Sequence, residues 1–199
     1  MNSSSVILPV IMMNGSDRGG VPSLLMAHNQ ICFQSNNVSM TYRNTASFGK
    51  RQEYAAIAEL LKRKLDVYMT LVDDQGIDCV IRGERGGKLD YLDIQIKACS
   101  KQCELQDAAF FAAMNIPNPR DNLWFIFYSE WLVKYWVINS MTLTREDMGI
   151  ASQNKKGKDA GKWNINMARY SKVTNQVSAN PKYSSYEDDA GFKQLEAWV

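Results

Sequence analysis

The spacing of hydrophobic and polar residues predicts a helix followed by three strands. Residues 49–65 place Ala56, Ile57, Leu60 and Leu61 on one apolar stripe at helical spacing. Three strand-like runs follow, at residues 67–72, 77–82 and 91–99. Turn-forming residues separate these runs, so the pattern indicates one helix and then three consecutive strands.

The remaining pattern predicts a second helix, a hairpin and an irregular C-terminal part. Residues 104–114 ("ELQDAAFFAAM") are interpreted as a helix that two prolines terminate. The aromatic stretch "NLWFIFYSEWLVKYWVIN" predicts two strands that turn around Ser129 and Glu130. Residues 142–148 and 186–199 are expected to be helical, and residues 163–167 to form a strand. The order αβββαββ is typical of an α/β or α+β fold with a central mixed sheet flanked by helices.

Composition narrows the classes of protein. Residues 1–40 are rich in Ser, Asn and Gly and predict a loosely ordered arm, whereas residues 41–199 carry the patterned domain. The chain has one histidine and four cysteines without zinc-site spacing, which gives little support to histidine-assisted nucleophiles or a zinc site. The free cysteines favour a cytoplasmic location. No apolar stretch is long enough to cross a membrane.

Polar side chains occur where the pattern predicts burial. Strand alternation puts Gln95 and Lys97 on one face of the third strand, and Asp78 lies at the start of the second. Glu53 falls on the apolar stripe of the first helix, an unusual place for a carboxylate without a partner or a function. Two carboxylates and a strand carbonyl form a hard-oxygen site suited to Mg²⁺ or Mn²⁺. A lysine beside such a metal can hold or deprotonate a water that attacks phosphorus.

A helix with Glu53, then "GID" and then "QIK" on the next strand, resembles the PD-(D/E)XK nuclease superfamily, with its restriction-endonuclease-like core. The similarity is greatest to Mrr-type and Holliday-junction-resolvase-like members. The resemblance implies that Asp78 binds a metal, that Lys97 is the catalytic lysine, and that Glu53 orients metal or water. Gln95 would occupy the second acidic position, and the backbone carbonyl of Ile96 would be a further metal ligand. The implied activity is a Mg²⁺-dependent (or Mn²⁺-dependent) DNA endonuclease of a defence, restriction or repair system.

Gln95 departs from the acidic consensus and removes one negative charge from the site. An alternative is therefore a weak or inactive protein of the same fold that binds nucleic acid or a protein partner. A ribonuclease is a third possibility. If these residues form no catalytic site, the alternative is a surface salt bridge between Asp78 and Lys97 on a solvated sheet face.

Basic residues supply candidate contacts to nucleic acid, although the net charge is only +2. They lie at the start of the first helix and in the basic segment 154–172: Lys50, Arg51, Lys155, Lys156, Lys158 and Lys162. A phosphate-contacting flap and a solvated loop both fit the segment. Cutting both strands of a duplex calls for two active sites, so a homodimer is a further possibility, which the sequence leaves open.

Overall fold

The computed structural model describes residues 42–71 and 76–199. The arm predicted for residues 1–40 and the end of the first predicted strand lie outside these residues. No helix in the described ranges is long and apolar enough to cross a membrane.

The described residues form helices, strands and two short 3₁₀ segments. In chain order, these elements are α1 (Tyr42–Lys62), β1 (Asp66–Met69), β2 (Cys79–Arg85), β3 (Lys88–Cys99), a 3₁₀ turn (Leu105–Asp107), β4 (Phe110–Met114), β5 (Leu123–Ser129), β6 (Lys134–Asn139), α2 (Ser140–Leu143), β7 (Ala151–Gln153), β8 (Trp163–Asn166), β9 (Ala168–Ser171), β10 (Gln176–Ala179), a second 3₁₀ segment (Pro181–Tyr186) and α3 (Asp188–Glu196).

The central sheet has five strands in the order β1-β2-β3-β5-β6. Strands β3 and β5 are parallel, and every other neighbouring pair is antiparallel, so the sheet is mixed as predicted. The predicted hairpin is confirmed as β5 and β6. The β2–β3 hairpin turns at Gly86 and Gly87, whose φ angles of +61° and +76° suit the two-residue turn that glycine allows.

Each face of the sheet carries its own hydrophobic core. On one face, Ile57 and Leu60 of α1 and Phe192 of α3 pack against Ile94 and Ile96 of β3. Helix α1 ends where Lys64 adopts a φ of +63°, and Leu65 N donates to Leu60 O, the hydrogen bond that closes many helix C-termini.

A second sheet covers the other face of the central sheet. It has the order β4-β8-β7, and its Phe111 lies 4.7 Å from Phe127 of β5 between ring centroids. Buried aromatic and aliphatic side chains from both sheets, including Phe125, Trp136 and Ile165, form this core. The central strand β5 is therefore buried on both faces, which explains its unbroken apolar sequence.

The predicted helix at residues 104–114 is wrong. The structure contains a short 3₁₀ turn and then strand β4, which pairs with β8 through Phe111↔Ile165 and Met114↔Trp163. The ladder is interrupted between Phe111 and Met114, where Ala113 has a φ of +51°. This bulge breaks the two-residue alternation, so the apolar run lacks the spacing by which strands are recognised.

Candidate active site

Asp78 lies immediately before β2, at the point where β2 begins to pair with β3. Its backbone N–H donates to Ile94 O at 2.9 Å, and its Oδ2 accepts a hydrogen bond from Ile96 N at 2.6 Å. A side-chain oxygen therefore takes the place that a backbone acceptor would have in a regular ladder. Thr70 Oγ1 donates to the carbonyl oxygens of Ile77 and Asp78, at 2.8 and 3.2 Å, and helps to position this segment.

The alternation predicted for β3 is confirmed. Leu92, Ile94 and Ile96 are buried toward the helices, whereas Gln95 and Lys97 are partly exposed on the other face. The ammonium group of Lys97 forms neither an ion pair nor a hydrogen bond with another described residue. The structure therefore does not contain the alternative, a salt bridge between Asp78 and Lys97.

Glu53 reaches the same region from α1, on the helix side of the sheet. Its side chain is only 20% exposed and forms a short ion pair with Lys50. The hydrogen bond that Lys50 Nζ donates to Glu53 Oε2 is the main cause that raises the pKa of Lys50, and the negative charge of Asp78 contributes as well. The sequence predicted that Glu53 would have a partner or a function. The structure shows a partner, Lys50, one turn earlier on the helix.

The charges of Asp78 and Glu53 both act on the buried thiol of Cys79. Burial raises its pKa to about 12, and the charges of Asp78 and Glu53 act in the same direction. Both carboxylates thus lie close enough to act electrostatically on the same buried thiol. The structure places Glu53 and Asp78 within electrostatic reach of Cys79 at the start of β2. Gln95 and Lys97 lie on the adjacent strand, on the face turned away from α1.

The donor set at this edge is compatible with a hard divalent cation. The described residues contain no cluster of three or more His, Cys, Asp or Glu side chains that could hold a metal. A cation here would have to be bound by the carboxylates of Asp78 and Glu53. Neutral oxygens and water would complete its coordination. Mg²⁺ is commonly bound in this way, because it retains several waters and needs only one or two carboxylates.

Several polar residues beside the site were missed by the sequence analysis. A cavity of about 530 Å³ opens next to Gln95 and is lined in part by Asn115, Asn118 and Arg120. Arg120 Nη2 donates to Asp93 Oδ2 at 2.6 Å, which ties the cavity wall to β3. The only sequence signal for these residues is that residues 115–120 contain polar residues and two prolines. The sequence pattern used that stretch only to predict the end of a helix.

The predicted basic residues lie in two places. Lys155, Lys156 and Lys158 are exposed on the loop between β7 and β8, which we call the lysine loop (residues 154–162). Lys162 ends this loop and pairs with Asp159 at 2.9 Å. Arg51 donates to Ser47 Oγ at 3.1 Å on α1.

Strand pairing brings the lysine loop toward the cavity. Trp163 pairs with Gln153 on one side and with Met114 on the other. The loop spans the gap between Gln153 and Trp163, and Asn115 of the cavity directly follows Met114. Loop and cavity wall thus begin at the same end of the second sheet, a proximity that the sequence could not show.

Comparisons with known proteins give a limited result. No family model matches the chain, and no curated protein matches it. Among solved structures, a bacterial homing endonuclease is similar over 77% of this chain and 95% of its own length, with 17% sequence identity and a TM-score of 0.41. At this level of similarity, the neighbour supplies no residue assignments for this chain.

Proposed function

We propose that this chain is a metal-dependent endonuclease that hydrolyses phosphodiester bonds in DNA. The observation that carries the proposal is the arrangement at the start of β2. Asp78 is held there by Ile96 N at 2.6 Å, beside a strand on which Lys97 has no ion-pair partner among the described residues. An ammonium group that has no partner among the described residues, on the strand next to the one that Asp78 precedes, is suited to a substrate that brings its own negative charge.

Each residue of the site has a distinct proposed role. Asp78 and Glu53 would hold Mg²⁺ or Mn²⁺, with Gln95 and the Ile96 carbonyl as neutral ligands. The bound ion would supply stabilisation of the charge that develops on the phosphate, together with an acidified water. Lys97 would hold the attacking water in line and stabilise the charge of the pentacovalent state through its ammonium group. Lys50 would orient Glu53 through their ion pair.

The exposed cations are proposed to hold the DNA backbone. Three exposed lysines belong to the lysine loop, which begins at the same end of the second sheet as the cavity wall, and Arg51 and Lys50 lie on α1. Contacts of this kind position nucleic acid without reading its sequence, and they weaken steeply with salt. A role in restriction, defence or repair is part of this proposal through the resemblance to the PD-(D/E)XK superfamily.

The test is cleavage of supercoiled plasmid with Mg²⁺, with Mn²⁺ and with EDTA. Cleavage in either metal and none in EDTA is expected, and a parallel RNA substrate separates a ribonuclease from a deoxyribonuclease. A matched control is Lys88→Ala at the other end of β3, which should cut like the wild type, whereas Lys97→Ala should not. Linear product that rises with protein concentration would indicate that two copies act together.

A second candidate is a nuclease-fold protein that binds nucleic acid without cutting it. It is favoured by the glutamine at the second acidic position and by the Lys50–Glu53 ion pair, which occupies one of the two carboxylates. Salt-dependent DNA binding without cleavage under any metal would support this candidate and contradict the leading one.

A further inference from the structure

The cavity beside Gln95 has the size and the lining of a small-molecule pocket. Its volume of about 530 Å³ falls within the range of ~300–1,000 Å³ typical of ligand sites. Three side-chain amides, those of Gln95, Asn115 and Asn118, line it, and none makes a hydrogen bond with a described residue. Each amide offers both donors and an acceptor, so the wall can pair with the edge of a planar polar ring.

The charge of the cavity favours a neutral ligand over a phosphate. Arg120 is the cation in its lining, and Asp93 already pairs with this guanidinium at 2.6 Å. Buried apolar side chains, Ile116, Leu123 and Phe125, form the rest of the wall. Amide groups around an apolar floor are the pattern by which proteins recognise nucleobases through hydrogen bonds and stacking.

We infer that this cavity receives an unpaired nucleobase of the substrate, next to the phosphate that is cut. The inference rests on the proposed nuclease function and extends it to recognition. Gln95 lines the cavity and lies two residues from Lys97 on the same face of β3, a separation of about 7 Å along a strand. A base in the cavity therefore belongs to a nucleotide at or beside the reacting phosphate.

Gly76 supports the assignment of Gln95 to this cavity. A Cβ atom on Gly76 would lie 2.6 Å from Gln95 Nε2, and Gly76 has a φ of +69°. Glycine thus lets the chain pass close beside the Gln95 amide, and both residues line the cavity. This gives a reason for glutamine at a position where an acid would strengthen the metal site: its Oε1 remains able to bind the metal, while its Nε2 can donate to the base. A base paired within a duplex cannot enter, so the preferred substrate has an unpaired or extruded base.

The experiment uses the full-length chain and DNA duplexes that carry 2-aminopurine, opposite a mismatch or in a bulge, at successive positions around the cleaved bond. Ca²⁺ replaces Mg²⁺ for the binding measurements. The wild type should raise 2-aminopurine fluorescence at one position beside the cut. An Asn115→Ala/Asn118→Ala double variant, which alters exposed side chains, should lose most of that rise. The matched control is Gln176→Ala, an exposed amide on β10 that does not line the cavity.

Cleavage gives a second readout. The double variant should lower the preference for unpaired over fully paired substrate by about tenfold, mainly through a higher KM, as expected for the loss of hydrogen bonds to a base edge. If the wild type cuts DNA but fluorescence and preference are the same in all three proteins, the base pocket is refuted and the nuclease proposal stands. If the wild type neither cuts nor binds DNA, both are refuted.

Discussion

Asp78 should contribute to stability as well as to metal binding, and two substitutions can separate these roles. Its Oδ2 accepts a hydrogen bond at 2.6 Å from the backbone N–H of Ile96, a residue that is only 5% exposed. Asp78→Ala removes this acceptor, and a buried donor left without one costs about 1–3 kcal/mol. For a chain of this size, each kcal/mol corresponds to about 2–4 °C in Tm, so Asp78→Ala should melt roughly 2–12 °C below the wild type in EDTA.

Asp78→Asn should have a smaller effect on the metal-free protein. The asparagine carbonyl can still accept from Ile96 N, so the ladder remains closed. Removing the charge abolishes repulsion from Glu53 but also attraction to Lys50, and these two changes oppose each other. We expect a change in unfolding free energy of less than about 1 kcal/mol, because the hydrogen-bonding capacity of the site is kept.

Metal should stabilise the wild type and neither variant. Mg²⁺ at a hundred times its dissociation constant should add about 2.7 kcal/mol to the free energy of unfolding, if it binds only the folded chain. The assay is urea unfolding followed by circular dichroism, in EDTA and in Mg²⁺, with Tm as a second measure. Asp147→Asn is the matched control, because Asp147 pairs with Arg145 on the surface, and it should retain the metal effect.

Two results would refute this reasoning. If Asp78→Ala is as stable as the wild type in EDTA, the hydrogen bond to Ile96 does not contribute to the stability of the sheet. If Asp78→Asn keeps the full stabilisation by Mg²⁺, Asp78 is not a metal ligand, and the proposed site is wrong even if the fold is right.

Four other predictions test the site and the fold. Lys97→Ala should abolish cleavage while Tm and DNA affinity persist; turnover like that of the wild type would contradict its catalytic role. Gln95→Glu should lower the Mg²⁺ concentration for half-maximal cleavage, because it adds a carboxylate, and an unchanged or higher value would argue against a metal ligand at this position. Changing the three lysines of the lysine loop to alanine should flatten the salt dependence of DNA binding by about one unit of slope for each lysine that binds a phosphate, whereas an unchanged slope would place the DNA elsewhere. Burial raises the pKa of the Cys79 thiol to about 12, so the folded chain keeps this proton to a higher pH than the unfolded chain does. The free energy of unfolding should therefore fall as pH rises above about 9, and it should fall less steeply in Cys79→Ala. Equal slopes for the two proteins in urea titrations at several pH values would exclude this contribution.

Local periodicity was sufficient for the first helix and for the faces of β3. The apolar stripe predicted the buried side of α1 correctly at Ile57 and Leu60. It was wrong at Leu61, which is exposed at the edge of the stripe, and the helix begins seven residues earlier than the pattern indicated. The two-residue alternation placed Gln95 and Lys97 on one face of β3, and the structure confirms it. These features depend on neighbours within a few residues, so they can be read from the chain itself.

Residues 104–114 show where such reasoning fails. Alanine, phenylalanine and methionine are compatible with a helix. No feature of the neighbouring sequence predicts the bulge at Ala113. Pairing with β8, whose Trp163 and Ile165 lie about fifty residues away, provides the hydrogen bonds that make the segment a strand. Pairing with β8 overrides the weak local preference for a helix. The residues next to this segment in the chain do not indicate that β8 will be its partner.

The sequence by itself determined the mixed α/β character of the chain, and it predicted Glu53, Asp78, Gln95 and Lys97 as candidate site residues. Only the tertiary structure decided what surrounds them: the parallel pairing of β3 with β5, the ion pair that engages Glu53, the cavity beside Gln95 and the position of the lysine loop. The physical reason is one of range. Side-chain periodicity follows from the geometry of a single helix or strand, whereas cavities, ion pairs and sheet order depend on which distant segments pack together, and that choice minimises the free energy of the whole fold.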